Sequence, residues 1–418
     1  MNALTLTWAI SGLTALGVIT RPFALPEATW AVLGALLLLG LGLISMPDAW
    51  VGIGKGLDVY LFLIGMMLLS ELARREGLFD WLASVATSCA KRSPKRLFIL
   101  IYGVGILVTA FLSNDATAVV LTPAVYAACR AARVKDPMPY LLTCAFIANA
   151  ASFVLPISNP ANLVIFGGGA MPPLSQWLAT FTMPSIVAIV VTFIALYWNQ
   201  RTVIATDSVA TDIEQVPLTT SAKLAGVGLC VTAILLLAAS ALDLDLGAPT
   251  FVAGCVTTTT ILLITRQSPT WVLKDISWSV LPLVGGLFIV VEALNRTGLV
   301  EHLAGALSDN ARNLPMQTAA VAGTVVALAS NLVNNLPAGL VAGSAVQAAD
   351  VSDKIAAAIL IGVDLGPNLS VTGSLATILW LSALRREGLK IGAWAFLKIG
   401  AVVMIPALVM SLAVLAIQ

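Results

Sequence analysis

The chain has 418 residues, 59% of them hydrophobic and 10% charged, with a formal net charge of +1. A soluble domain carries about 25% charged residues, so water is excluded as the main solvent, and the balanced charge offers no basic face for nucleic acid. Continuous apolar runs, many approaching the roughly 20 residues that cross a bilayer, exclude the alternating strands of a β-barrel and define an all-α polytopic membrane protein.

In chain order the first apolar runs lie near residues 3–20, 28–46, 57–73, 97–113, 116–129, 139–157, 161–170 and 176–198. The segment Met1–Thr20 lacks a basic leader and reads as a first span rather than a cleaved signal. A polar stretch, Asn199–Lys223, follows, and further runs lie near 224–241, 248–264, 276–294, 316–333, 336–349, 355–384 and 392–417. This places a first transmembrane repeat over 1–198, a cytoplasmic linker over 199–223 and a second, inverted repeat over 224–418.

The word repeat rests on residues. Segment Leu61–Ala83 recurs as Pro282–Ala304, so that at a shift of 221 Gly65 matches Gly286, Glu71 matches Glu292, Arg75 matches Arg296 and Gly77–Leu78 match Gly298–Leu299. Further on, with one residue lost, Ser113-Asn114-Asp115 faces Val333-Asn334-Asn335. A duplicated apolar chain with polar pairs at matched positions is the pattern of a secondary transporter whose site lies between its repeats.

Basic residues orient the halves. Lys91, Arg92, Lys95 and Arg96 precede the Asn114–Asp115 region and Arg130, Arg133 and Lys135 follow it, which sets both flanks on the cytoplasmic side. The intervening runs are short for two spans and fit a re-entrant hairpin with its tip near the midplane. The matching hairpin of the second half has a weakly basic context suited to the outer face. The expectation is about ten transmembrane helices plus two re-entrant hairpins and discontinuous helices, arranged as inverted-topology repeats, with twelve plain spans as the alternative that hydropathy alone leaves open.

Four polar breaks interrupt the apolar helices: Ser113–Thr117, Ser158–Asn162, Asn331–Asn335 and Asp364–Asn368. Backbone groups freed at such points must be buried in protein or line a cavity, and half-helix ends add their dipoles. The candidate substrate site is therefore Asn114, Asp115, Thr117, Asn159, Asn162, Asn334, Asn335, Asp364, Asn368, Ser370 and Thr372. A carboxylate at membrane depth is expensive and marks a function or a partner. Asp115 first and Asp364 second are the candidates for proton coupling, against the alternative that either one only caps a broken helix.

Other polar features read as structural. Glu71 with Arg75 and Glu292 with Arg296 have the i,i+4 spacing of ion pairs, and Thr257–Thr260 reads as packing. Trp30, Trp50, Trp81, Trp177 and Trp198 read as interfacial anchors. The scattered Cys89, Cys129, Cys144, Cys230 and Cys255 read mostly as buried packing residues, and His302 lacks partners at metal spacing, so neither a metal nor a cofactor is expected.

At FLSNDATAVVLTP (Phe111–Pro123), ISNPANLVIF (Ile157–Phe166), NNLPAGL (Asn334–Leu340) and IGVDLGPNLSVTGSLATILWL (Ile361–Leu381) the chain resembles the ArsB arsenite efflux family of the ion transporter superfamily. The resemblance covers nearly the whole chain. It implies export of arsenite and antimonite from the cytoplasm in exchange for protons, in a bacterial inner membrane. An ArsA-type ATPase and a homodimer are the protein partners it suggests. The chain departs from the dicarboxylate pattern of Ser-Asn-Thr at both hairpin tips, which argues against a sodium-coupled carboxylate. Arsenite at neutral pH is mainly a small neutral trihydroxide, which amides, hydroxyls and a carboxyl suit, and the absence of clustered thiols fits a carrier that must release its cargo. The alternatives are a sodium/proton antiporter or an anion transporter on the same scaffold, a passive channel, and an intramembrane aspartyl protease using Asp115 and Asp364, whose sequence context does not match that class.

Overall fold

The computed structural model describes residues 2–166, 171–210 and 216–418. The end of the expected 161–170 run and the middle of the expected linker thus lie outside the described residues. Among those described, every regular element is a helix. The first half contains α1 (Ala3–Thr20), α2 (Glu27–Gly40), α3 (Met46–Lys55), α4 (Leu57–Arg75), α5 (Leu78–Cys89), α6 (Pro94–Phe111), α7 (Asn114–Ala116), α8 (Thr122–Ala131), α9 (Met138–Ala150), α10 (Pro160–Phe166) and α11 (Leu174–Thr206). The second contains α12 (Thr220–Ala241), α13 (Gly247–Thr265), α14 (Thr270–Asp275), α15 (Val280–Asn295), α16 (Leu299–Asn313), α17 (Pro315–Val333), α18 (Asn335–Ala349), α19 (Asp353–Leu365), α20 (Leu375–Arg386) and α21 (Ala393–Ile417).

The order of elements in the first half recurs in the second, α1–α6 as α12–α17 and α8–α11 as α18–α21. Local chemistry repeats with it. Gly77 and Gly298 adopt left-handed backbone, φ +80 and +84, at the turns into α5 and α16, a conformation that glycine adopts without strain. Pro94 and Pro315 start α6 and α17, where a missing N–H costs nothing. Ser113 and Asn334 cap the helices that follow. These caps keep the shift of 221 unbroken, which corrects the one-residue loss expected from sequence. Asn114 therefore corresponds to Asn335, and Asp115 to Leu336.

Seven described helices are long and apolar enough to cross a membrane alone, and nine if the bent pairs α3–α4 and α15–α16 each count as one span. The pairs bend by 50° and 72°. Helices α2 and α9 are shorter and also apolar. Large aliphatic side chains such as Leu13, Ile234, Leu263 and Val409 are exposed on the outside, as lipid-facing surface requires. Halves interlock: α4 packs on α13, α2 on α15, and α11 on α21. The repeated Gly65 and Gly286 explain themselves here. Gly65 lies against the backbone of Thr250, and a Cβ on Gly286 would sit 2.7 Å from the carbonyl carbon of Ala31. Both glycines allow the close helix approach that stands in for a hydrophobic driving force in lipid.

Four other expectations change. Trp177 is not an interfacial anchor: it is fully buried, and its Nε1 donates to the Phe153 carbonyl at 3.2 Å. Trp50 and Trp198 are exposed, as anchors should be. Glu71 is bound by Arg74, three residues on, while Glu292 does meet Arg296 at 3.5 Å and also Lys55 of α3 at 2.7 Å. Helix α11 runs past Trp198 to Thr206, and the burial of Ile204 anchors these last turns. Of the cysteines, Cys129 and Cys144 are buried while Cys89 and Cys230 are exposed. Helices α9, α10 and α19 are almost wholly enclosed, as is the first turn of α20, and these elements carry the breaks toward the middle of the molecule.

Candidate functional site

Each of the four breaks ends one helix and starts another. Ser113 is extended, φ −178, and its Oγ accepts from the Ala116 N–H at 3.2 Å, opening α7. Helical turns widen to π type over Thr117–Leu121 before α8, a feature frequent at functional sites. After α9, the Ser158 hydroxyl donates to the Ala110 carbonyl at 2.9 Å and accepts from the Leu155 N–H at 3.1 Å. That bond ties the break to the first hairpin, and α10 then starts at Pro160. The second hairpin tip is held to the fourth break through the Asn335 N–H, which donates to the Gly373 carbonyl at 2.9 Å. Ser374 caps α20 by accepting from the Thr377 N–H at 3.1 Å.

The consequence is convergence. A cavity of about 10 Å³ is lined by Asn114, Asp115, Asn159, Pro160, Asn335 and Leu336, with Leu63, Val280, Leu375 and Ala376 closing it. The first residues of α7, α10, α18 and α20 all lie on it. Each helix N-terminus carries roughly half a positive charge, so the cavity sets one carboxyl and three amides among four positive helix ends. Among the described residues no Lys or Arg lines it. Its volume is near the minimum that holds one water, so any larger solute requires the hairpin tips to part.

Of the expected residues, Asn114, Asp115, Asn159 and Asn335 meet at the cavity. Asp364 is fully buried one bond behind it. Its Oδ1 accepts from the Asn159 Nδ2 at 2.7 Å, and its Oδ2 has no hydrogen-bond partner. The Asn159 Oδ1 accepts in turn from the Ala161 N–H at 3.0 Å. The other expected residues hold the breaks together. Thr117 bonds Thr109 at 2.8 Å. The Asn162 Nδ2 donates to the carbonyls of Ser152, Leu155 and Pro156 at 3.0–3.3 Å. Asn334 accepts from the Leu336 N–H and donates to the Thr372 carbonyl. The Asn368 Nδ2 donates to the Phe146 carbonyl at 3.0 Å. The Ser370 hydroxyl donates to Asn331 Oδ1 at 2.7 Å, and Thr372 meets Ser370 and Asn331.

Sequence reasoning missed Asn149. Its Nδ2 donates to Asn368 Oδ1 at 2.9 Å, and its Oδ1 accepts from Ser374 at 3.3 Å. The signal was present. At the shift of 215 that relates α9 to α19, Asn149 corresponds to Asp364 and Asn159 to Ser374. The pair Asn149–Ser374 is thus the counterpart of Asp364–Asn159, with an amide where the other half has a carboxyl. Likewise Asp115 has Leu336 as its counterpart. Each half supplies one carboxyl, at a different position. Among the described residues no cluster of three His, Cys, Asp or Glu could hold a metal ion.

An all-helical membrane chain with two hairpins and two broken helices meeting at a central polar cavity is a membrane transporter by class. The citrate transporter family, CitMHS, matches residues 15–363, and the chain belongs to that family. It is 28% identical to the "Arsenical pump membrane protein" of Escherichia coli K12, over 99% of this chain and 98% of that one. The protein of the same name from Yersinia enterocolitica is 28% identical over 85% of each chain. An uncharacterized transporter of Mycobacterium tuberculosis is 25% identical over 90% of each. Among solved structures, the Alcanivorax borkumensis YdaH transporter superposes with a TM-score of 0.57 at 15% identity, covering 88% of this chain and 86% of that one. Neisseria gonorrhoeae MtrF, described with a class of antimetabolite efflux pumps, gives 0.56 at 13% identity over 100% and 95%. At that identity the likeness carries the fold alone.

Proposed function

We propose that this protein is a secondary active transporter that exports arsenite, and antimonite, from the cytoplasm in exchange for protons across a bacterial inner membrane. The observation that carries the reading is the cavity where Asn114, Asp115, Asn159 and Asn335 converge without a cationic side chain. A neutral trihydroxide donates and accepts hydrogen bonds, and amides with a carboxyl provide both partners. Near-full-length relatives named as arsenical pumps support the same reading.

In the cycle we infer, Asp115 takes a proton from outside, and neutralising it lets the empty carrier reset. Substrate arriving from the cytoplasm displaces that proton, and Asn159 couples the cavity to Asp364 behind it. The repeats have inverted topology in this reading, which sets the hairpins on opposite faces and gives alternating access about one site. The chain has no Gly-x-x-x-x-Gly-Lys-Ser/Thr phosphate loop, so ATP-driven export would come from a separate ArsA-type ATPase.

A second reading is transport of a carboxylate, as the family description says of citrate. Four helix N-termini at the cavity favour an anion, while Asp115 on the same wall disfavours it. Arsenite uptake into everted vesicles, acidic inside and without ATP, separates the two. Accumulation that collapses with the proton gradient supports export of arsenite. Citrate uptake without arsenite uptake moves the assignment to the carboxylate. Asp115→Asn should abolish uphill arsenite accumulation, and coupled export at the wild-type level in that variant would remove Asp115 from the mechanism.

A further inference from the structure

The second hairpin tip is a thin partition. On one side, Asn335 and Leu336 line the polar cavity. On the other, Val333, Pro337 and Ala338 line an apolar groove of about 700 Å³. The groove runs between α1 and α15 on one wall and α16, α17 and α18 on the other. Its size falls in the roughly 300–1,000 Å³ range of ligand sites.

Its surroundings state what it is bathed in. Both α1 and α17 are long and apolar enough to span a membrane, and Leu13, Leu16, Val321, Val325 and Leu328 on those helices are exposed. The opening is therefore flanked by side chains that belong in hydrocarbon. One end differs, because the two amides, Asn310 and Gln317, sit on the groove at the turn from α16 to α17, whereas the Thr14 and Thr318 hydroxyls on its wall are bonded back to their own helices and Ser11 is the remaining small hydroxyl. A largely aliphatic body with its amides gathered at one end is the outline of an amphiphile.

The tip itself is under strain. Asn334 has φ +74 and ψ 152, a region that essentially only glycine occupies without strain. Such a conformation persists only while its neighbours hold it. On the cavity side Gly373 and Thr372 hold the tip. On the groove side its Val333, Pro337 and Ala338 line the largely apolar wall.

We propose that the groove binds one acyl chain of a membrane lipid, its polar head at Asn310 and Gln317, and that this chain props the hairpin tip against the polar cavity. The tip withdraws into the groove only when the chain yields, so bilayer lipid governs opening of the site. The acyl-chain site stands independently of the transported solute, whereas control of opening rests on the transporter reading above.

Gly12 provides the test, since it lines the groove and a Cβ there meets nothing within 4 Å. Gly12→Phe places a ring in the groove without touching the cavity. Gly103 of α6 is equally open, and Gly103→Phe is the control. The protein is reconstituted with a phosphatidylcholine carrying a photoreactive diazirine in its acyl chain, and labelled peptides are mapped without substrate. Label should concentrate on residues 8–15 and 333–345 relative to the lipid-facing Val227–Ile234 surface of α12, and Gly12→Phe should reduce it several-fold. Label no denser than on α12, or a cross-link between two copies across the groove in its place, overturns the lipid site. In arsenite flux, Gly12→Phe should lower the maximal rate several-fold with KM unchanged, while Gly103→Phe matches wild type. Loss of label at wild-type flux overturns control of the tip. An inert wild-type protein would refute the arsenite reading and leave the labelling result standing.

Discussion

Asp364→Asn tests the buried carboxyl most directly. Its Oδ1 accepts from Asn159 at 2.7 Å and its Oδ2 has no partner. The amide keeps the shape and still accepts from Asn159, but the bond loses its charge assistance. Hydrogen bonds to charged groups contribute about 1.5–3 kcal/mol and neutral ones about 0.5–1.5, so the bond weakens by about 1–1.5 kcal/mol. That is roughly tenfold in any equilibrium that depends on the Asn159 orientation. Substrate affinity should therefore fall by about tenfold or less, measured as protection of the purified protein against thermal unfolding by arsenite. Uphill accumulation in acidic-inside vesicles should fall as well, because Asp364 is the second candidate for proton coupling and an amide there cannot titrate behind Asp115. A variant that accumulates arsenite like wild type would refute the coupling role and leave Asp364 as a positioning residue for Asn159. Asp364→Leu separates the roles further, since it removes the bond as well and should lower affinity beyond the Asn variant.

Four further outcomes follow from the geometry. Asn162→Ala removes the donor that three buried carbonyls share, and an unsatisfied buried group costs about 1–3 kcal/mol; a drop in Tm in detergent with loss of transport is expected, and an unchanged Tm would contradict it. Gly254→Ala places a methyl 2.7 Å from the Gly65 carbonyl oxygen, so α4 and α13 must separate at about 1–3 kcal/mol, readable as lower thermal stability. Asn149→Asp adds a third carboxyl to the site, beside Asn368 and Ser374; titration of proton release on arsenite addition should differ from wild type, and an identical proton count would show that the added group is electrostatically silent. Glu292→Gln removes the charge that meets Lys55 and Arg296, while its amide oxygen still accepts a hydrogen bond; both cations are about half exposed, so the loss in thermal stability is about 1 kcal/mol or less and shrinks as salt rises.

Much of the site was legible because membranes make polarity conspicuous. Four breaks stand out in apolar runs, and each contributes a residue to the cavity or to the bonds that shape it. Gly65 and Gly286 were visible as a matched pair, but the reason for them, backbone contact with Thr250 and Ala31, lies between elements about 185 and 255 positions apart. Asn149 has no local signature as a lone amide inside an apolar run; its signal lies in the other half, at Asp364 under the shift of 215 and at its partners Asn368 and Ser374. Thr117, Asn162, Asn368, Ser370 and Thr372 have the same polarity as the cavity residues, and sequence alone has no means of separating a side chain that meets solute from one that satisfies a freed carbonyl.

The amino-acid sequence by itself determined the solvent, the helical class, the duplication and the positions of the breaks, because each follows from local hydropathy and from matched residues along one chain. Tertiary structure decided the rest. The four helix starts share one cavity, Asp364 stands behind Asn159 rather than on the wall, and Trp177 is buried instead of lying at the interface. Such facts depend on which helices pack together. That choice is made by close approaches and shared hydrogen bonds between residues hundreds of positions apart, which no window along the sequence contains.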